Sequence, residues 1–131
     1  MSDMTSTPLA NKQIPWQDEW TLNHPQMDET HHEFIAEINH MLAVPDAEML
    51  AAVDRFVEHT VAHFEQERVW METTSFPPKG CHIGEHDRVL AIVQQVRQMV
   101  EGGDCAIGRR LAEELVPWFN QHAQTMDAAL A

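Results

Sequence analysis

Histidine is the residue type that could do chemistry in this sequence, since nine of the 131 residues are histidines and several have the spacing of metal ligands. His63 and Glu67 lie four residues apart, and so do His82 and His86. Residues at this spacing lie one turn apart on the same face of a helix, so each pair could hold one ion. The pattern indicates a metal site built on helices.

Two further segments add candidate ligands. His31 shares the apolar face of its predicted helix with Phe34, whereas His32 points to a more polar side, so we choose His31. His122 and Asp127 are five residues apart, which places them about 140° apart around a regular helix. Both can face inward only if the helix bulges, and a single π-turn would allow this.

Apolar periodicity predicts the four helices that must position these residues. Pro45, a Pro-rich turn at Phe76–Gly80 and Gly102-Gly103 separate them, and Asp46 and Asp104 are candidate helix caps. We expect helices at about 26–44, 46–74, 81–101 and 105–130. Such short connections favour antiparallel neighbours, so the fold class is all-α, an up-down-up-down four-helix bundle over 14–131 with a disordered arm at 1–13.

Helix rise places the candidate ligands at one level of this bundle. Glu67 precedes the second turn by about as many residues as His82 and His86 follow it, and the other helices agree within a turn. Five imidazoles and two carboxylates are too many for one tetrahedral zinc ion. They suit two ions bridged by both carboxylates, with imidazole favouring iron, copper or zinc. Two irons are the simplest interpretation.

Composition restricts the partners. Eight basic and 21 acidic residues give a formal net charge of −13, so nucleic acid and anionic membranes are poor partners and a cation is a better one. Met1–Gln13 lacks the apolar segment of a signal peptide, and no apolar run is long enough to cross a membrane. We therefore expect no membrane insertion and a cytoplasmic protein, which we also expect to be a monomer. Two cysteines, Cys81 and Cys105, are too few for a disulfide scaffold, so we expect reduced thiols.

Several segments closely resemble the bacteriohemerythrins, the prokaryotic single-domain branch of the hemerythrin family. The resemblance covers about 14–130 and is carried by Pro15–Trp20, Met27–His32, His63–Glu67, His82–His86 and Trp118–His122 with Asp127. It implies that His82, His86 and His122 bind one iron and that His31 and His63 bind the other. Glu67 and Asp127 would bridge the two irons together with an oxo or hydroxo group.

The resemblance also implies a function, which is reversible binding of dioxygen for storage, transport or delivery to an oxygen-consuming enzyme, with a reductase as a possible partner. Five apolar residues close to the ligands in sequence are expected to line the oxygen pocket: Phe34, Phe64, Leu115, Trp118 and Phe119. On this interpretation the protein is not an enzyme, although weak redox side activity is compatible with it.

Two alternatives use the same centre. A di-iron oxidase, peroxidase or nitric oxide reductase would need open positions on both irons, and the five-histidine set argues against it. A sensor of oxygen or iron would pass occupancy to a partner. His59 departs from the family pattern, in which an aromatic residue is frequent at this position. We expect it to contact a ligand or to bond to backbone, and we expect His24, His32 and His40 to be surface groups.

Overall fold

Four long helices form the bundle. The computed structural model describes residues 13–74 and 79–131, with helices α1 (Pro25–Ala43), α2 (Met49–Thr73), α3 (Lys79–Glu101) and α4 (Cys105–His122). Each helix packs against the next one, and α4 also packs against α1. The predicted all-α, antiparallel four-helix bundle is confirmed. The predicted arm, except Gln13, and the turn at Phe76–Pro78 lie outside the described residues.

The helix ends follow local chemistry, with one correction. Asp104 caps α4 as predicted, its Oδ1 accepting from the Ile107 amide at 3.2 Å. The prediction that Asp46 caps the second helix is wrong, since a 3-10 turn at Asp46–Glu48 precedes α2. The Asp46 carboxylate instead accepts from Arg109 at 2.6 Å, which ties the α1–α2 connection to α4.

The lead-in, which comprises residues 13–24 before α1, covers one side of the bundle. Trp20 ends a short 3-10 turn and is fully buried. Its indole Nε1 donates to Asn120 Oδ1 at 2.8 Å, and its ring lies 5.1 Å from that of Phe119. Trp16 remains partly exposed and stacks on His32 at 3.6 Å. The lead-in therefore fixes the position of α4 near Phe119.

The core changes character along the bundle. Aliphatic and methionine side chains fill the end near the α1–α2 connection, where Gly108 allows close packing, since a Cβ there would lie 2.8 Å from Met49 Sδ. Polar side chains interrupt the core towards the other end. Apolar periodicity predicts that the inward stripe of α2 ends at Trp70. This is wrong at that last position, because Met71 is fully buried and Trp70 lies half-buried beside His24.

The described helices include none that is long and apolar enough to cross a membrane. Cys81 and Cys105 do not form a disulfide with each other.

Trp20→Ala should destabilise the fold, because it removes a fully buried ring and its hydrogen bond to Asn120. We expect a loss of about 3–5 kcal/mol in the free energy of unfolding, measured by urea denaturation. Trp16→Ala is the matched control and should cost clearly less, since Trp16 is partly exposed. Equal losses for the two variants would contradict this description of the lead-in.

Candidate metal centre

The structure brings all seven predicted ligands together in one buried cluster. Each is at most 6% exposed. Every long helix or its continuation contributes to the cluster. The members are His31 from α1, His63 and Glu67 from α2, His82 and His86 from α3, His122 from α4, and Asp127 after it. His32, the rejected alternative on α1, is exposed.

The cluster divides into two groups able to hold a metal ion. One contains Glu67, His82, His86, His122 and Asp127, and the other contains His31, His63 and Glu67. The ligand atoms within each group lie within 4.8 Å of one another. Asp127 also reaches the second group, since its Oδ2 lies 3.1 Å from His31 Nε2.

The two carboxylates share their oxygens between the groups. Glu67 Oε1 lies 3.1 Å from His82 Nε2 and 3.3 Å from His86 Nε2. Its other oxygen, Oε2, lies 2.7 Å from His63 Nε2 and 3.6 Å from His31 Nε2.

The two oxygens of Asp127 likewise face different histidine groups. Its Oδ1 is 3.0 Å from His82 Nε2 and 3.2 Å from His122 Nε2, and its Oδ2 faces His31. Each carboxylate can therefore bridge two ions.

These separations fit metal ligands. Bonds of about 2.1 Å at right angles place neighbouring ligand atoms about 3.0 Å apart. Most of the nitrogen–oxygen distances above lie near that value. Within the described residues, both oxygens of Asp127 and Oε1 of Glu67 are buried without a well-formed hydrogen bond. Buried acceptors are rarely left so, and a shared cation would satisfy all three.

The imidazoles and carboxylates of the cluster shift one another's pKa values. Burial lowers the pKa of His31 and His82, but the close negative carboxylates of Asp127 and Glu67 outweigh it and raise both to about 9. Burial raises the pKa of the Glu67 carboxyl, but the surrounding imidazoles hold it well below its usual range. Without a metal ion, protons must therefore balance the two carboxylates.

A π-helical turn brings His122 and Asp127 to the same side. It spans Ala123–Asp127, directly after α4, and confirms the bulge predicted from the five-residue gap. Both residues are buried, with exposures of 3% and 1%. The wider turn changes the angle between them, so both side chains face the cluster.

Aromatic rings surround the imidazoles. Phe119 lies edge-on to His31 at 5.0 Å, and Phe34 lies edge-on to His63 at 6.0 Å. Phe64 stacks on His86 at 3.7 Å, and Trp118 stacks on His122 at 4.5 Å. Leu115, the fifth predicted pocket residue, lines a groove between α3 and α4 together with Trp118.

Glu85 is a contact of the cluster that the sequence did not predict. Its Oε1 accepts from His122 Nδ1 at 2.6 Å, so it fixes which nitrogen of that ring faces Asp127. A carboxylate at the outer nitrogen of a ligating histidine orients the ring and raises its basicity. The only sequence signal is its place beside His86.

The other histidines lie outside the cluster. His24 is not simply a solvated group as expected, because its Nδ1 accepts from the Met27 amide at 3.1 Å and caps α1. His32 and His40 are exposed, as expected. His59 is half-buried, and its Nε2 donates to Glu33 Oε1 at 2.9 Å rather than to backbone.

Comparison with known proteins identifies the family. The profile of the hemerythrin HHE cation binding domain matches residues 23–131. This chain belongs to the hemerythrin family. A bacteriohemerythrin of Ralstonia nicotianae is 41% identical over 114 residues, covering 87% of this chain and 83% of the relative. One from Stenotrophomonas maltophilia is 28% identical, covering 90% and 79%.

A solved hemerythrin has the same fold. The crystal structure of an alanine mutant of a hemerythrin superposes with a TM-score of 0.80 at 18% identity, covering 88% of this chain and 92% of that one. Identity this low establishes the fold alone. The hemerythrin bundle nevertheless agrees with the four-helix arrangement on which the cluster is built.

The metal-free protein should lose stability as the pH rises from 6.5 to 9. Folding raises the pKa of His31 and His82 from 6.5 to about 9, so the stabilisation is complete below pH 6.5 and disappears through pH 9. We expect a loss of about 2–4 kcal/mol in the free energy of unfolding, measured by urea denaturation. The metal-loaded protein should not show this loss. Metal-free stability that is constant or rises over this range would be inconsistent with protons balancing the carboxylates.

Glu85→Gln should weaken metal retention by roughly 10–100-fold, because the amide keeps the shape but not the charge that orients His122. The measurement is competition with a chelator. Glu58→Gln removes the same charge from an exposed position on α2 and is the matched control. If both variants lose metal at the same rate, Glu85 does not act on the centre.

Proposed function

We propose that this protein binds dioxygen reversibly at a centre of two non-haem iron ions. In this proposal His82, His86 and His122 hold one ion, His31 and His63 hold the other, and Glu67 and Asp127 bridge them with an oxo or hydroxo group. The observation that carries the proposal is the division of both carboxylates between two histidine groups in one buried layer. Membership of the hemerythrin family supports it.

The two ion positions have unequal numbers of donor groups. This asymmetry favours an oxygen carrier over an enzyme. Three imidazoles and two carboxylate oxygens face one position, whereas two imidazoles and two carboxylate oxygens face the other. With one bridging group, an ion at the first position would have six donors and an ion at the second would have five. When bound, two ferrous ions would supply the electrons for reversible oxygen binding, and the donor count would leave one position open on the ion held by His31 and His63.

The chain's own residues protect that position. Phe34 and Phe119 are at most 1% exposed and lie against the imidazoles of His63 and His31. An apolar wall excludes water and therefore slows proton delivery to the centre. Slow proton delivery favours release of unchanged oxygen over irreversible oxidation.

The same centre suggests a cellular role. We propose that the protein acts as a cytoplasmic monomer that stores oxygen or delivers it to an oxygen-consuming enzyme, and that a reductase restores the ferrous form. The formal net charge of −13 supports neither nucleic acid nor an anionic membrane as a partner.

Reduced, iron-loaded protein should bind oxygen over repeated cycles. We expect exposure to air to produce a new visible absorption band and purging with inert gas to remove it, since one open position allows binding without turnover. His31→Ala should lose the cycle, whereas His32→Ala, altered at an exposed position, should keep it. Irreversible oxidation on first exposure, or steady oxidation of an added substrate, would favour the di-iron enzyme instead.

A further inference from the structure

A histidine and a glutamate, residue types that can bind a metal ion, form a pair outside the buried cluster. His59 on α2 and Glu33 on α1 join the two helices at the surface, with 2.9 Å between Nε2 and Oε1. The carboxylate is largely solvent-accessible, with its side chain 57% exposed against 22% for the imidazole. Two ligand atoms about 3.0 Å apart can bind one ion at right angles with bonds of about 2.1 Å.

This pair lines a cavity that reaches the cluster. The cavity has a volume of about 250 Å³, and its walls are formed by Thr30, Glu33, His59, Ala62, His63 and Gln66. His63 is the most exposed of the seven clustered residues, at 6%. It lies one helical turn after His59, and its Nε2 lies 2.7 Å from Glu67. Side chains of types that can bind a metal ion therefore lead from solvent, at Glu33 and His59, to His63 in the buried cluster.

A second cavity also touches the cluster, at His86, but it suits a cation less well. Its walls include Glu65 and Asp87 as well as Phe64, Leu90 and Arg68. Arg68 repels a divalent ion, and it donates to Glu65 Oε1 at 3.0 Å, so the charge of that carboxylate is already balanced. The cavity at His59 has a carboxylate, two imidazoles, an amide and a hydroxyl in its walls, and its described lining residues include neither Lys nor Arg.

We propose that Glu33 and His59 form an outer site that captures a divalent metal ion and passes ferrous iron to His63 and the centre. The inference rests on the proposed function, since it requires that the cluster holds iron. With two protein ligands and water in the remaining positions, the outer site binds weakly enough to release the ion inward. Capture raises the local concentration of iron beside His63 and so accelerates loading.

The test measures how fast the metal-free protein takes up iron. The protein is mixed anaerobically with ferrous ammonium sulfate, and quenching of tryptophan fluorescence is followed, since Trp118 stacks on His122. His59→Ala, Glu33→Gln and the double variant should load roughly tenfold more slowly than wild type, with the same final iron content. Glu114→Gln removes one negative charge beside the groove at Trp118 and should load at the wild-type rate.

A second measurement detects the outer site directly. Mn²⁺ added to the iron-loaded protein should broaden the amide resonances of Thr30, Glu33, His59 and Gln66, and the double variant should lose this effect. Unchanged loading rates with normal final iron, or absence of the broadening in wild type, would overturn the outer site alone. Wild-type protein that ends without iron would overturn both this proposal and the proposed function.

Discussion

Burial of seven ionisable side chains in one layer is the constraint on which the rest of the structure depends. Each of these groups would cost several kcal/mol if it were buried without a partner. Imidazole nitrogens and carboxylate oxygens approach one another at 2.7–3.6 Å, so opposite charges offset that cost. Protons or metal cations must supply the positive charge. Because all four helices contribute, the bundle and the charge balance are coupled.

The backbone is adapted to this layer. Pairs four residues apart on α2 and α3 need only regular helix, whereas the pair at His122 and Asp127 requires a π-helical turn. Such a turn weakens regular hydrogen bonding, and it persists where the surrounding contacts favour it. Buried aromatic rings on the outer side of the imidazoles keep the layer dry, and Trp20 holds Phe119 in place from the lead-in.

Much of this arrangement could be predicted from spacing alone. Four-residue intervals put the paired ligands on one helical face, the five-residue gap predicted the π-turn, and the apolar neighbours of His31 distinguished it from His32. These inferences succeed because they depend on local helix geometry. The structure brings the seven residues together, and their role as iron ligands stays a prediction.

The features missed from sequence are set by tertiary contacts. Glu85 acts on His122, which lies 37 residues away on another helix. Asp46 forms an ion pair with Arg109 and therefore does not cap α2. Trp70 and Met71 differ by one helical step, and packing rather than periodicity decides that Met71 is buried.

The most direct test of the central claim is the metal content of protein expressed with ample iron, combined with anomalous diffraction at the iron absorption edge. We predict two iron atoms per chain and two anomalous peaks between the carboxylates of Glu67 and Asp127. One metal ion per chain, or a site filled mainly by zinc, would contradict it.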